Sequence, residues 1–426
     1  MNRLRDFISA QLNGSVLRRN VAYTFGRQMA AALAQFLTVV IIARELGTEG
    51  NGQYAMVILL PNLLVNFLNF GVGPANVYYL GRKELSPRYA AVENIKIALA
   101  IASAGTAGAF VMIGLWGKTL FPGIPLAFLY IGLAAFPIAL AEQYLRTILQ
   151  GMEDFNAFNW ATLAPPLSVL CYISIAVYVL DFGLAGAVIG FVLGHITGLL
   201  IVGIFLRTLA HEEKKDTRAS LHCYKRKALI YGTKAYLGNI LTFVNYRADI
   251  FLVNLIQGPA ATGVYVIAVK IAEQLWMLSK AASTVLLPRM ASMHENPKAR
   301  LRLTNKAFAG VAGLTAAAAG LSAVALYWLL EPVFGPDFTG AFSPFLWLLP
   351  GIIAGAGARV QANCIAAAGR PEWNMYVAVG VVSVNIIGNV ILIPACGIDG
   401  AAIATSIAYM VDAAVKVCLV QLTLKA

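Results

Sequence analysis

Charged residues and cysteines are both scarce in this sequence of 426 residues. Charged residues make up only 12% and hydrophobic residues 59%, whereas a typical soluble domain has about 25% charged and about 45–50% apolar residues. The five cysteines are scattered without a C-x-x-C pair. We therefore interpret them as isolated thiols rather than metal ligands, and we expect neither a metal nor a cofactor. The shortage of charge argues against an ordinary soluble fold.

Long apolar runs take the place of the missing charge. Each is long enough for a helix to cross about 30 Å of hydrocarbon. The runs lack the two-residue alternation of a membrane barrel, and backbone groups in lipid must bond within their own segment. The sequence therefore predicts an all-α polytopic membrane protein with about twelve transmembrane helices. The predicted spans are 20–44, 53–80, 88–116, 123–149, 160–180, 184–207, 228–256, 262–289, 303–330, 341–368, 374–394 and 400–422.

The net charge of +12 follows the predicted topology. Most basic residues outside the spans fall on one side, and only Arg44 and Lys118 lie in turns on the other side. The positive-inside rule then predicts that both termini are cytoplasmic, and no nucleic acid is needed to explain the charge. Residues 1–19 lack the apolar core of a signal peptide, and their apolar side chains share one helical face. We interpret this segment as an interfacial helix on the cytoplasmic side.

The sequence contains three pairs of matching segments in the same order. GTEGNGQY at 47–54 matches GPAATGVY at 258–265, GMEDFN at 151–156 matches GRPEWN at 369–374, and GLAGAVIG at 183–190 matches GIDGAAIA at 397–404. The offsets are 211, 218 and 214 residues, and Gln143 and Gln361 precede the second pair at the same 218-residue offset. A shared order at near-constant offset indicates a duplication.

The duplication predicts two six-helix halves. Because six is even, both halves enter the membrane from the same side, which makes a parallel repeat about a pseudo-two-fold axis. The predicted domains are a cytoplasmic interfacial segment at 1–19, an N-terminal half at 20–210, a basic cytoplasmic linker at 211–227 and a C-terminal half at 228–426. The repeat glycines are expected at tight turns or close helix contacts. They are Gly47, Gly52, Gly151, Gly258, Gly263 and Gly369.

The segment 36–83 resembles the start of the polysaccharide-export flippases, the Wzx or O-antigen translocase group. That group belongs to the multidrug/oligosaccharidyl-lipid/polysaccharide exporter superfamily. The similarity lies in an I-A-R-x-L-G end to the first helix, a G-x-Y entry to the second and an F-G-x-G-x-A exit. Here these are Ile42–Gly47, Gly52–Tyr54 and Phe70–Ala75.

The resemblance implies a fold and a cargo. Such proteins have two six-helix bundles around a central cavity that opens to alternate sides, and they lie in the bacterial cytoplasmic (inner) membrane. Similar proteins carry polyprenyl-pyrophosphate-linked oligosaccharide from the inner to the outer leaflet. The implied partners are that substrate, membrane lipid and other polysaccharide-assembly proteins.

Polar residues inside the spans are the candidates for contact with such a substrate, since ionisable groups in a membrane usually face protein or water. Asn62, Asn66 and Asn69 share one helical face, and Lys234, Asn245 and Asp249 share another. Packing between helices is the alternative role for each of them. The full set of cavity candidates is Arg27, Asn62, Asn66, Asn69, Gln143, Lys234, Asn245, Asp249, Lys270, Lys280, Arg359 and Gln361.

Three further residues are candidates for coupling to an ion. Glu142 could pair with Arg146 four residues later or bind a proton, and Glu273 could pair with Lys270. His195 could relay protons or be a hydrogen-bonded core residue. Because basic residues outnumber acidic residues inside the spans, a mildly cationic cavity suited to an anionic cargo is expected.

Other functions remain open from the sequence. A multidrug or cation exporter and a lipid II-type flippase belong to the same superfamily, and a cation exporter would favour an acidic cavity. A membrane-embedded glycan polymerase or acyltransferase would need a sizeable outer loop or a clustered acid/base pair. The outer turns are short, so a non-enzymatic transporter is favoured.

Overall fold

A computed structural model describes residues 2–212, 224–293 and 296–425, with side chains at 23–208, 238, 240–287, 289–293 and 296–422. Every regular element in these ranges is helical. Residues 2–19 are helical, but their side chains lie outside this description, as do the Lys234 side chain and most of the linker 211–227. The helices are α1 (Asn2–Leu68), α2 (Val72–Gly81), α3 (Pro87–Leu120), α4 (Leu126–Leu133), α5 (Ala135–Gly151), α6 (Phe155–Ser174), α7 (Gly183–Glu212), α8 (Tyr224–Gln257), α9 (Pro259–Gln274), α10 (Trp276–Ala291), α11 (Pro297–Phe334), α12 (Phe342–Ala367) and α13 (Pro371–Lys425).

The predicted membrane-spanning helices are present. Among the described residues, nine helical stretches are long and apolar enough to cross a membrane. Two of them contain an internal kink, at Gly47 in α1 and at Gly397 in α13. The stretch kinked at Gly397 covers the predicted spans 374–394 and 400–422, and the stretch kinked at Gly47 covers most of span 20–44 and the first part of span 53–80. Helix α8 covers the predicted span 228–256. The prediction of an all-α polytopic membrane protein is therefore confirmed.

The second predicted span, 53–80, is interrupted. Helix α1 ends at Leu68 and α2 begins at Val72, and Phe70 and Gly71 between them have positive φ angles of 46° and 67°. The Asn69 side-chain oxygen accepts the backbone N–H of Gly71 at 2.8 Å. Such side-chain-to-backbone bonds compete with helical hydrogen bonds, which explains why the helix stops at this asparagine.

Matching positions of the first repeat share a backbone conformation. Gly47 has φ 64° and ψ −168°, and Gly258 has φ 83° and ψ −178°. This region is open essentially only to glycine, so the two turns need glycine for the same reason. The second pair is less regular, because the positive φ falls on Glu153 in one copy and on Gly369 in the other. The two-repeat layout is consistent with these conformations.

The chain separates into two compact units. The first comprises Met1–Ile41, Val57–Leu115 and Leu126–Ala235, and the second comprises Ile42–Met56, Trp116–Pro125 and Tyr236–Ala426. In the first unit α7 packs against α5 and α6, and α2 packs against α5. In the second unit α12 packs against α9, α10, α11 and α13. The second unit thus includes short segments that the sequence places in the N-terminal half.

The second unit contains a close crossing between the two copies of the first repeat. A Cβ atom on Gly52 would lie 1.8 Å from the carbonyl oxygen of Pro259, and a Cβ atom on Gly263 would lie 1.9 Å from that of Thr48. The Asn51 amide also donates to the carbonyl oxygen of Gly263 at 2.8 Å. The expected close packing at Gly52 and Gly263 is therefore contact between the repeated segments themselves.

Candidate functional site

A polar cavity of about 270 Å³ lies within the second unit, among α8, α10, α12 and α13. Leu241, Ala362 and Val381 provide apolar wall. The aromatic and polar wall consists of Thr242, Asn245, Tyr246, Trp276, Arg359, Tyr409, Asp412 and Lys416. We call this cavity the Arg359 pocket. It brings together Arg359 and Asn245, which the sequence singled out on different spans.

Three aromatic rings form one side of the Arg359 pocket. The Trp276 ring centre is 4.7 Å from that of Tyr246 and 5.3 Å from that of Tyr409. The ring planes are inclined at 41° and 68° respectively, as in ordinary tilted and edge-to-face aromatic contacts. The cluster supplies a rigid aromatic surface beside the polar groups.

Arg359 carries the uncompensated charge of the pocket. Its guanidinium donates to the hydroxyl oxygens of Ser279 and Tyr246, both at 3.2 Å, and lies 5.5 Å from the Trp276 ring centre. No acidic side chain in the described part of the chain lies within ion-pair distance of it. Since a guanidinium has five N–H donors, these two bonds leave three donors for a ligand.

The other two charged groups of the pocket neutralise each other. Lys416 Nζ lies 2.7 Å from Asp412 Oδ1, one helical turn apart on α13. The i, i+4 spacing places the two side chains on the same face of the helix. The pocket therefore has a net positive charge from Arg359.

Two buried polar atoms at the pocket have no hydrogen-bond partner among the described residues. They are the Asn245 side-chain oxygen and the Trp276 indole nitrogen, on side chains that are 8% and 5% exposed. Buried polar atoms are normally bonded to protein or water. Both atoms therefore have unused hydrogen-bonding capacity beside the pocket.

Further basic groups lie near the pocket in the same unit. Lys280 lies on α10 one helical turn after Trp276, which lines the pocket. Lys270 makes no ion pair with any described side chain, whereas Glu273 pairs with Arg247 at 2.7 Å. Around Glu273, basic charge therefore exceeds acidic charge.

Asp249 is held by neighbouring helices and does not line the pocket. Its carboxylate accepts hydrogen bonds from the Ile250 backbone at 2.7 Å, the Tyr265 hydroxyl at 2.8 Å and the Thr405 hydroxyl at 3.3 Å. The side chain is buried. Asp249 thus links α8 to α9 and α13.

Asparagine side chains near the end of α1 form hydrogen bonds with the backbone of the same segment. The Asn66 amide donates to the carbonyl oxygen of Asn62 at 2.9 Å, and the Asn69 amide donates to that of Asn66 at 3.4 Å. Asn76 belongs instead to helix packing, since its amide donates to the Tyr144 carbonyl and the Thr147 hydroxyl. None of these side chains lines the Arg359 pocket.

Arg27 connects two helices of the first unit. Its guanidinium donates to the Asn156 backbone and side-chain oxygens at 3.2 and 2.9 Å and lies 4.8 Å from the Trp160 ring centre. Asn156 is the last residue of the GMEDFN segment. Arg27 is therefore held by contacts between α1 and α6.

Glu142 forms the centre of a buried ionic cluster in the first unit. Its carboxylate lies 3.0 Å from an Arg146 nitrogen and 2.9 Å from His195 Nδ1, and the glutamate is 3% exposed. The predicted Arg146 pairing is present, and His195 adds a contact from α7. Gly198 leaves room for this carboxylate, because a Cβ atom there would lie 3.3 Å from Glu142 Oε2.

The two glutamines of the repeat share one feature. The side-chain oxygens of Gln143 and Gln361 are both buried and have no hydrogen-bond partner among the residues that the structure describes. Neither glutamine lines the Arg359 pocket. No three His, Cys, Asp or Glu side chains in the described ranges are grouped as metal ligands.

Sequence reasoning missed the aromatic wall. Trp276 lies four residues before Lys280, and Tyr409 lies three residues before Asp412, so each shares a helical face with a charged residue. That spacing could have indicated that Trp276 and Tyr409 face a cavity. An aromatic residue in a membrane helix, however, is ordinarily a packing residue.

A second cavity, of about 610 Å³, lies in the same unit near the repeat turns. Its wall includes Thr48, Gln257, Asp337 and Gly397 and contains no lysine or arginine. It lacks the positive charge that an anionic substrate requires.

Comparisons with known proteins agree with this architecture. The structure is similar to the lipid II flippase MurJ in an inward closed conformation, with 16% identity, coverage of 93% of this chain and 87% of that chain, and a TM-score of 0.73. It is also similar to an inward-facing multidrug resistance MATE family transporter of the MOP superfamily, with 16% identity, coverage of 94% and 98%, and a TM-score of 0.64.

A third similar structure is a MOP superfamily transporter from Pyrococcus furiosus described as having a binding pocket of reverse polarity. It shows 16% identity, coverage of 96% and 94%, and a TM-score of 0.62. No curated protein matches the sequence. The sequence profile described as polysaccharide biosynthesis protein matches residues 17–294. This multi-pass membrane protein therefore belongs to the polysaccharide biosynthesis protein family.

Proposed function

We propose that this protein moves a polyprenyl-pyrophosphate-linked oligosaccharide from the inner to the outer leaflet of the bacterial inner membrane by alternating access. The family assignment and the flippase and transporter folds of the similar structures support a transporter rather than an enzyme. A large polar head group cannot cross hydrocarbon without compensating polar contacts. The polar groups of the membrane-spanning helices would supply those contacts.

The charge of the Arg359 pocket is the observation that carries this proposal. A guanidinium inside a membrane protein without an acidic partner is costly, and such groups commonly mark a substrate pathway. Arg359, Lys280 and Lys270 would attract the phosphate groups of the substrate. Asn245 would contact the sugar portion, while Asn62, Asn66, Asn69, Lys234 and Gln361 remain proposed contacts along the pathway.

The proposed orientation follows from the distribution of basic residues, with both termini in the cytoplasm. An inside-negative potential would then favour outward movement of an anion by about 2.3 kcal/mol per charge per 100 mV. Glu142 and Glu273 are the proposed positions for any ion coupling, and His195 has the proposed role of a hydrogen-bonding partner of Glu142. Membrane lipid and other polysaccharide-assembly proteins are the proposed partners.

Two alternatives share the fold. A multidrug or cation exporter would prefer an acidic pocket, and the positive charge of Arg359 disfavours it. A lipid II-type flippase would also carry an anionic lipid-linked cargo, so the family assignment, and not the charge, favours polysaccharide export. A glycan polymerase or acyltransferase is disfavoured because the similar structures are flippases and transporters.

The direct test is deletion of the gene in the cell that expresses it. We expect lipid-linked oligosaccharide to accumulate and to be accessible only from the cytoplasmic face. Normal surface polysaccharide together with altered drug efflux would support the exporter alternative. Accumulation of peptidoglycan precursor alone would support the lipid II-type alternative.

A further inference from the structure

We propose that the Arg359 pocket binds the sugar ring adjacent to the phosphate groups of the substrate. In this proposal the Tyr246, Trp276 and Tyr409 rings contact the face of the sugar, and Asn245 and Trp276 contact its hydroxyl groups. The proposal rests on the proposed function and assigns to this pocket the class of group that it recognises, a hexose 1-phosphate end.

The first argument is the shape and surface of the pocket. At about 270 Å³ it is slightly smaller than the roughly 300–1,000 Å³ pockets of drug-sized ligands, so it holds one ring of an oligosaccharide and not the whole chain. A pyranose ring presents C–H groups on its faces and hydroxyl groups at its edge. Aromatic side chains beside polar atoms match both parts, because the rings pack against the C–H face.

The second argument is the pair of polar atoms without partners. The Trp276 indole N–H can only donate a hydrogen bond, and the Asn245 side-chain oxygen can only accept one. Both are buried at the pocket and have no partner in the described part of the chain. A sugar hydroxyl can donate and accept, so hydroxyl groups satisfy both atoms, whereas an acyl chain satisfies neither.

The third argument is the position of the charge. The Arg359 guanidinium lies 5.5 Å from the Trp276 ring centre, next to the surface that would hold the sugar. Its remaining N–H donors can therefore bind an anionic group attached directly to that ring. Free phosphate would use only the basic groups, and a neutral sugar would use only the aromatic rings and Asn245.

Binding to the purified full-length protein in nanodiscs tests the proposal. The probes are a panel of hexose and N-acetylhexosamine 1-phosphates, the same sugars without phosphate, and inorganic phosphate, measured by calorimetry. We expect at least one sugar 1-phosphate to bind about tenfold tighter than either the neutral sugar or inorganic phosphate. Equal affinity for inorganic phosphate and every sugar phosphate would overturn the proposal, as would absence of sugar phosphate binding.

Two variants assign the binding to the pocket. Trp276→Phe keeps an aromatic ring but removes the indole donor, so we expect an about tenfold weaker sugar phosphate interaction and unchanged phosphate binding. The matched control is Trp347→Phe, because Trp347 is 49% exposed and does not line the pocket. The Trp347→Phe protein should bind sugar phosphates with the affinity of the wild-type protein. Asn245→Leu tests the acceptor separately, with thermal unfolding confirming that each variant is folded. Wild-type affinity in both folded pocket variants would overturn the assignment.

The outcomes separate this proposal from the proposed function. If deletion causes lipid-linked oligosaccharide to accumulate but the pocket variants bind sugar phosphates normally, the flippase function stands and the sugar assignment fails. If sugar phosphates bind through Trp276 but deletion leaves polysaccharide export intact, the assignment of the pocket stands and the flippase function fails.

Discussion

Gly52 and Gly263 pack against each other's backbone where the two copies of the first repeat cross. A Cβ atom on Gly52 would lie 2.9 Å from the Gly263 nitrogen, and one on Gly263 would lie 3.0 Å from the Gly52 nitrogen. The contact is reciprocal, so the same residue type is required at both repeat positions. Neither position tolerates even a methyl group without movement of the backbone.

Gly52→Ala should therefore destabilise the protein. Overpacking typically costs about 1–3 kcal/mol, and a clash with backbone cannot be relieved by a side-chain rotation. Gly310→Ala is the matched control, since that helical glycine has no heavy atom within 4 Å of the Cβ position and alanine favours helix by about 1 kcal/mol. Thermal unfolding in detergent should show a lower melting temperature for Gly52→Ala only. Equal melting temperatures would contradict the described crossing.

The ion pair between Arg247 and Glu273 leads to a second prediction. Arg247→Met should destabilise the protein by about 3 kcal/mol, because it leaves the mostly buried Glu273 carboxylate without its partner. The double variant Arg247→Met with Glu273→Leu should recover most of this loss. Lys270→Met is the control, since Lys270 makes no ion pair with a described residue. A larger effect at Lys270 than at Arg247 would show that Glu273 pairs along its own helix instead.

The Glu142 and His195 contact provides the third prediction. His195→Asn keeps a side-chain N–H that can donate to the carboxylate, so we expect normal stability and normal polysaccharide export. His195→Leu removes the donor and should lower stability by about 1–3 kcal/mol. Export and melting temperature are measured on both variants. Loss of export in a stable His195→Asn protein would instead assign His195 to proton coupling.

The sequence predicted the helical architecture because its signals are local. Apolar runs define membrane spans, and glycines such as Gly47 and Gly258 mark turns that other residues cannot adopt. The interruption after Leu68 was not predicted, since it depends on the direction of the Asn69 side chain. Local sequence signals were therefore sufficient to predict the helical fold, but they were not sufficient to predict where a helix is interrupted.

The candidate site was predicted only in part, for reasons of three-dimensional packing. Arg359 was a candidate because it is a basic residue inside a predicted span, and the structure leaves it without an acidic partner among the described residues. Spacing also suggested that Lys270 neutralises Glu273, but Arg247 on another helix does so. Trp276 and Tyr409 were not distinguished, because a periodic pattern does not show whether an aromatic ring faces a cavity or a neighbouring helix.

The most direct test of the account is the export activity of Arg359 variants in a deletion strain. Arg359→Ala removes the charge that would bind the substrate phosphate, so surface polysaccharide should fall by at least about tenfold at unchanged protein abundance, and lipid-linked oligosaccharide should accumulate on the cytoplasmic face. Arg359→Lys should retain part of the activity. Arg370→Ala, which removes an exposed arginine held over Trp373, should export normally. Normal surface polysaccharide in the Arg359→Ala strain would contradict the central claim that this pocket binds the cargo.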